Sequence, residues 1–266
     1  MIVGLAMGTT VTIGQAVGAK NRKKISQTIG NTVILFCIVS VAMMAFFLCM
    51  VRPIVAVMST PAEAVEGTVA YLTICFVGIP CITAYNVISS IFRGMGDSKS
   101  PMYFIAIACG ANIAFDYIFM GALHLGPAGA ALGTTLAQAL SVVIALTVTL
   151  KKKMGISVSR QDFRPRRGAT GQIVRIGLPI ALQDGLIQVA FIIITIIANR
   201  RGLSDAAAVG IVEKIISFLF LVPSSMLSAV SALGAQNIGA GKPERAVRTL
   251  YYTHPLYPPL FYFVIL

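Results

Sequence analysis

Long apolar stretches separated by short basic loops make up most of the chain. Hydropathy marks eight such segments, at residues 2–19, 29–51, 67–92, 101–122, 125–150, 176–199, 206–235 and 246–266. A membrane-spanning helix takes about 20 predominantly apolar residues, and most of the segments reach that length. No segment alternates strictly between apolar and polar positions, as a membrane β-strand does. The pattern therefore predicts an all-α polytopic membrane protein.

Composition and charge support this prediction. The chain is 57% hydrophobic and 11% charged, whereas soluble domains carry about 25% charged residues. The net charge of +12 does not indicate a nucleic-acid partner, because the basic residues lie in short loops between apolar segments. Most of the 21 basic residues fall in alternate loops, and the opposite loops hold Arg52, Arg200 and Arg201. The positive-inside rule places the strongly basic loops in the cytoplasm of a multi-pass cell membrane protein.

The sequence contains no pattern typical of an enzyme or of a metal site. The five cysteines all fall inside apolar segments, and the two histidines, His124 and His254, are far apart. We therefore predict no transition-metal site and no disulfide framework. There is no Ser/His/Asp set and no P-loop, which disfavours a membrane-embedded enzyme and disfavours ATP as the direct energy source.

The fourth segment carries one charge, Asp116, with Asn112 one helical turn before it. A carboxylate at membrane depth costs about 2.5–3.5 kcal/mol on insertion scales, so we expect something to offset that cost. Thr134 follows on the next segment after a short turn, so the two helices are predicted to be antiparallel neighbours. Carboxylate, amide and hydroxyl oxygens suit a hard cation such as Na⁺, and a carboxyl in a cavity can also carry a proton. The alternative is a structural carboxyl bonded to neighbouring helices.

Two other acids lie inside apolar segments. Asp184, flanked by Gln183 and Gln188, is a candidate for a second cation or substrate site. Glu213 is adjacent to Lys214, and we expect a local ion pair there.

Further polar and helix-breaking residues have two interpretations. Three polar side chains within uncharged segments are candidates for lining a cavity, although hydrogen bonding between helices explains them equally well; they are Tyr85, Asn86 and Gln138. Three prolines inside predicted helices are expected to produce kinks; they are Pro80, Pro179 and Pro223. The Gly and Ala residues around 126–133 indicate close helix packing.

The longest polar connection divides the chain. We predict an N-terminal lobe of five membrane helices at 1–150, a cytoplasmic basic linker at 151–173, and the start of a C-terminal lobe at 174–266. The basic run in the linker can contact anionic lipid headgroups. A solvated linker is the interpretation that we favour.

An internal repeat relates the two predicted lobes. Gln15 and Gly18 recur as Gln236 and Gly239 at the same offset, and a basic cluster follows each pair. Because six helices separate the copies, the repeat is a parallel repeat of a six-helix unit, an architecture known in transporters. With such a unit a first helix and most of the second lobe are missing, and we expect an incomplete chain with a truncated or frame-shifted end at 253–266.

Taken together, these motifs resemble those of the multidrug and toxic compound extrusion (MATE) transporters, over nearly all of residues 1–250. The segments that carry the resemblance are Gln15 to Ala19 with the basic loop, Ile91 to Asp97, Asn112-xxx-Asp116, Gly126 to Ala131 with Thr134, Gly177 to Pro179, and Gly234 to Gly241.

The resemblance implies two six-helix lobes around a central cavity, and export of organic cations or drugs in exchange for Na⁺ or H⁺. It implies that Asp116, Asn112 and Thr134 form the cation-coupling set, with the coupling ion as the only cofactor. Partners are then membrane lipid and a small organic cation, and no oligomer is required. A lipid-linked oligosaccharide flippase of the same superfamily is disfavoured because the segments hold almost no Arg or Lys. A non-functional truncated gene product is the remaining alternative.

Overall fold

A computed structural model describes residues 2–57, 64–151, 159–164 and 167–253. Within those ranges the chain is helical and contains no β-strand, which confirms the all-α prediction. The helices are α1 (Ile2–Gly18), α2 (Arg22–Val57), α3 (Val65–Val77), α4 (Ile79–Gly94), α5 (Lys99–Asp116), α6 (Gly126–Lys151), α7 (Arg167–Arg201), α8 (Leu203–Leu219), α9 (Leu221–Gly239) and α10 (Pro243–Thr253). A π-helical segment, Tyr117–Ala122, continues α5, and a 3-10 turn, Arg160–Phe163, precedes α7.

Six helical stretches of the described chain are long and apolar enough to cross a membrane. They are Arg22–Ala56, Val65–Gly94, Lys99–Ala122, Gly126–Lys151, Gly168–Ala198 and Ala207–Gly239. These stretches correspond to the second through seventh predicted segments, and the shorter helix α1 corresponds to the first. The eighth predicted segment is described only to Thr253, within α10, so the predictions for the remaining residues lie outside the described ranges.

Two of the predicted proline kinks coincide with helix breaks. The break between α3 and α4 falls at Gly78, shortly before Pro80, and the break between α8 and α9 falls at Phe220, shortly before Pro223. Proline has no backbone N–H and its ring clashes with the preceding turn, so it favours an interruption on its N-terminal side. Helix α7, by contrast, runs without a break through Pro179.

The contacts group the residues into two compact units. Of the described residues, the first comprises those at 2–25, 94–96 and 171–253, and the second comprises those at 26–93 and 97–170. In the second unit α6 packs against both α5 and α3. The lobes at 1–150 and 174–266 were predicted from the repeat in the sequence, whereas these units are defined by which residues pack together. The lobe boundaries therefore stay a prediction.

In the first unit the two copies of the repeat pack against each other, α1 against α9. A β-carbon on Gly18 would meet the carbonyl oxygen of Gln236, and a β-carbon on Gly239 would meet the carbonyl oxygen of Gln15. Gly18 and Gly239 are counterparts in the repeat, and so are Gln15 and Gln236. Each copy therefore places its glycine against the glutamine carbonyl of the other copy. The repeat in the sequence thus marks an interface at which only glycine allows so close an approach.

The described part of the predicted linker is a packed turn. The Asp162 carboxylate accepts hydrogen bonds from the backbone N–H of Ser159 at 2.9 Å and from its hydroxyl at 3.1 Å, which fixes the start of Arg160–Phe163. The Asp162 carbonyl lies against Gly30 of α2 and accepts a bond from the Asn31 amide at 3.4 Å. Asp162 is buried, whereas Ser159, Gln161, Phe163 and Arg164 are exposed, so the interpretation as a solvated linker fails at Asp162 and stays a prediction for the rest.

Candidate functional site

Asp116 is the last α-helical residue before α5 widens into the π-helical segment Tyr117–Ala122. In that segment the N–H of Leu123 donates to the carbonyl of Ile118, five residues back, at 2.9 Å. Single π-turns inside α-helices are rare and occur frequently at functional sites. The change in helical pitch therefore falls directly after the charged residue of this span.

A tight turn brings α6 back beside α5. His124 and Gly126 adopt left-handed backbone conformations, with φ of 50° and 56°, which let the chain reverse within a few residues. The reversal places Asn112 of α5 beside Thr134 of α6, and the Asn112 amide donates to the Thr134 hydroxyl at 3.5 Å.

The Asp116 carboxylate lies against α6 at Gly133, the residue that precedes Thr134. Its Oδ1 atom is buried and has no hydrogen-bond partner among the residues that the structure describes. The position that a β-carbon on Gly133 would occupy lies against this same oxygen. The structure therefore places Asn112 beside Thr134 and the Asp116 carboxylate beside Gly133, and a single site formed by Asp116, Asn112 and Thr134 stays a prediction.

This arrangement fits a hard cation or a proton. A buried carboxylate oxygen without a donor costs about 1–3 kcal/mol or more, and a bound cation or proton removes that cost. The carboxylate, the hydroxyl and the carbonyl oxygen of an amide are ligands that Na⁺ prefers, and in this structure Asn112 directs its amide nitrogen at Thr134. In the part of the chain that the structure describes, no three His, Cys, Asp or Glu side chains lie close enough together to hold a metal.

The second predicted group lies on α7. Asp184 is half-buried, and Gln183 and Gln188 are exposed. Gln188 is four residues from Asp184 and shares its helix face, whereas Gln183 is adjacent in sequence and faces elsewhere. No hydrogen bond joins any two of these three side chains in the described residues.

Glu213 does not form the predicted ion pair with Lys214. The Glu213 Oε1 atom instead accepts a hydrogen bond from the Thr195 hydroxyl of α7 at 2.8 Å. Lys214 is exposed. Adjacent residues on a helix point about 100° apart and do not face each other, which is the physical reason that the predicted pair is absent.

The predicted cavity residues make hydrogen bonds typical of helix packing. The Tyr85 hydroxyl donates to the Pro101 carbonyl at 3.4 Å, and the Asn86 amide donates to the Ile82 carbonyl of its own helix at 2.8 Å. Gln138 is half-buried on α6. A role in lining a cavity stays a prediction for all three.

Gly133 and the π-helical segment are features of the site that sequence reasoning missed. Gly129 and Gly133 are four residues apart, a spacing typical of helices that pack closely. The sequence therefore indicated close packing at 126–133, but nothing in it showed that Gly133 faces Asp116.

Six apolar helical spans, with a carboxylate between two of them, define a polytopic α-helical membrane protein. The MatE family model matches residues 1–118 and 179–256, and the chain belongs to this family, the MATE transporters. Its members are multi-pass cell membrane proteins and are transporters rather than enzymes. The family membership confirms the resemblance seen in the sequence.

Individual relatives agree with this assignment. The chain is 29% identical over 245 residues to the probable multidrug resistance protein YpnP of Bacillus subtilis, covering 92% of this chain and 54% of that protein. It is 22% identical over 253 residues to a FAD transporter of Shewanella oneidensis, covering 93% and 56% respectively. A solved MOP superfamily transporter from Pyrococcus furiosus is similar with a TM-score of 0.83 and 25% identity, covering 93% and 56%. The chain spans about half the length of the curated relatives that it matches.

Proposed function

We propose that this chain acts in a secondary active antiporter that exports organic cations or drugs in exchange for Na⁺ or H⁺. Asp116 is the cation-coupling carboxylate, and Asn112 and Thr134 complete its oxygen set. The observation that carries the proposal is the buried, unpartnered Oδ1 of Asp116 inside an apolar span. An intramembrane ionisable residue is expensive to keep, and its usual use is ion or proton binding.

The coupling step follows from the chemistry of the set. When Asp116 is empty, its buried oxygen lacks a partner, and when it holds a cation or proton the charge is balanced. The free-energy difference between two helix arrangements therefore depends on whether Asp116 holds a cation or proton. A substrate can be exchanged for the ion only if it binds more tightly to the opposite helix arrangement.

The remaining predicted residues have supporting roles in this proposal. Asp184, Gln183 and Gln188 contribute a second cation or substrate group on α7. Tyr85, Asn86 and Gln138 line the substrate path. The lobes at 1–150 and 174–266 move relative to each other around the linker at 151–173, in a lipid bilayer and without a required oligomer.

The substrate class is supported by the names of the relatives. One is a probable multidrug resistance protein, and another is a FAD transporter. An organic cation matches the acidic side chains that three of the spans carry, Asp116, Asp184 and Glu213.

Transport by the reconstituted chain tests the proposal. Proteoliposomes containing the chain are loaded with a fluorescent organic cation, and flux is driven by an imposed Na⁺ gradient in one series and by a pH gradient in another. We expect one gradient to drive flux of the dye, and we expect Asp116→Asn to abolish the driven flux. FAD in place of the dye separates the two substrate classes.

Glu213→Gln is the matched control, because Glu213 is also a half-buried carboxylate in a span but has a hydrogen-bond donor. It should retain driven flux. Full driven flux by Asp116→Asn, at equal protein content, would contradict the role given to Asp116.

A further inference from the structure

Gly133 contacts Asp116 in a way that differs from the other close-packed glycine of α6. A β-carbon on Gly129 would lie 3.0 Å from the backbone carbonyl oxygen of Phe119, which cannot move without the helix. A β-carbon on Gly133 would instead meet Oδ1 of Asp116, and would lie 3.5 Å from both its Cγ and its backbone N. The first obstacle at Gly133 is therefore the end of a flexible side chain.

We propose that Gly133 is a positioning residue for cation coupling at Asp116. The missing β-carbon leaves a space on α6, and the carboxylate oxygen occupies it, out of water and without a donor. This inference rests on the proposed function of Asp116, and it adds the residue that holds the carboxylate at the coupling set.

The location of Gly133 explains why this matters for binding. Gly133 precedes Thr134, whose hydroxyl accepts from the Asn112 amide at 3.5 Å. Asp116 lies one helical turn from Asn112 on α5, so the residue that seats the carboxylate also sets its position relative to the Asn112–Thr134 pair. Binding sites tolerate displacements of only about 0.5 Å, so a carboxylate pushed off this position loses its alignment with the other oxygens.

The substitution Gly133→Ala separates positioning from packing. The added methyl group displaces the carboxylate rather than the backbone, and alanine is the better helix former, so the fold tolerates the change. Water then reaches the displaced oxygen. The variant should fold normally and bind the cation poorly.

The test uses the whole chain in lipid nanodiscs with two readouts. Infrared difference spectroscopy follows the Asp116 carboxyl band, which is identified as the band lost in Asp116→Asn. Titrations with Na⁺ and with H⁺ give the half-saturating cation concentration. In Gly133→Ala we expect the band to shift in frequency and the half-saturating concentration to change by about tenfold or more.

Gly110→Ala is the matched control. Gly110 lies on α5 with Asp116, and nothing lies within 4 Å of the position that a β-carbon would take there. This variant should leave the band and the titration unchanged. When Asp116→Asn is already present, adding Gly133→Ala should not change the cation titration further, because the effect of Gly133→Ala acts through the carboxylate.

Two results would overturn the positioning role. One is an unshifted Asp116 band in Gly133→Ala. The other is an equal loss of thermal stability from Gly133→Ala with and without Asp116, which would make the contact ordinary packing. Failure of the proposed function is a different result, namely unchanged cation binding in Asp116→Asn, and the band shift still decides whether Gly133 holds the carboxylate.

Discussion

Asp116 and Glu213 are both half-buried carboxylates inside apolar spans, yet their surroundings differ. Glu213 on α8 accepts a hydrogen bond at 2.8 Å from Thr195 of the neighbouring helix. Asp116 on α5 has one buried oxygen that lies against a glycine of α6 and has no donor in the described part of the chain. The first acid is satisfied by the fold, and the second is not.

This difference indicates which of the two acids has a role beyond helix packing. A hydrogen-bonded carboxylate contributes to helix packing and has an adequate structural explanation. An unpartnered carboxylate oxygen lowers the stability of the fold, so its retention requires another explanation. A cation or proton that binds and leaves provides one, because the site must be able to exist in both states.

Besides the substitutions at Asp116 and Gly133, the largest effect is expected at Thr134. Thr134→Val removes a hydroxyl oxygen from the coupling set while keeping the side-chain volume. We expect the half-saturating cation concentration to rise about tenfold, equivalent to about 1.4 kcal/mol. Cation titration of the chain in nanodiscs measures this.

Thr134→Ser is the control for that prediction, since it keeps the hydroxyl. It should stay within about twofold of the original chain. Equal weakening by Val and Ser would show that the overall fit of the side chain, and not the hydroxyl oxygen alone, matters at this position.

A smaller effect, on stability and not on binding, is expected at Thr195. Thr195→Val leaves the Glu213 carboxylate without its donor and should lower the free energy of unfolding by about 1–3 kcal/mol. Thermal unfolding in detergent checks this. Thr73→Val is the matched control, because Thr73 donates only to the carbonyl of Val69 in its own helix. If both variants lose the same stability, the bond to Glu213 contributes nothing.

The smallest effect is expected at Lys214. Because Lys214 is exposed and forms no ion pair with Glu213, Lys214→Ala should change the unfolding free energy by less than about 0.5 kcal/mol. The same thermal measurement applies. A loss as large as that of Thr195→Val would restore the ion pair and weaken the contrast between the two acids.

Hydropathy and helical spacing were sufficient for the spans and for part of the site. Spans are predictable because a bilayer demands about 20 apolar residues whatever the tertiary structure. The proximity of Asn112 and Thr134 was predictable because a short turn fixes how two antiparallel helices align. The breaks near Pro80 and Pro223 were predictable because proline disfavours the helix on its N-terminal side, although α7 continues through Pro179.

The features that sequence reasoning missed depend on how helices rotate about their axes. Side chains on neighbouring helices meet only when packing sets that rotation, as for Gly133 against Asp116 and for Thr195 with Glu213. The Glu213–Lys214 prediction failed because neighbours in sequence were taken as neighbours in space. The burial of Asp162 was missed because the basic, polar composition of this stretch did not reveal a short capped turn.

The central claim is that Asp116 binds the coupling cation and Glu213 does not. Its most direct test is cation binding by the purified chain in nanodiscs, with radioactive Na⁺ for sodium and proton release for H⁺. We expect saturable binding by the original chain and by Glu213→Gln, and none above background by Asp116→Asn. Saturable binding that survives in Asp116→Asn and disappears in Glu213→Gln would contradict the claim.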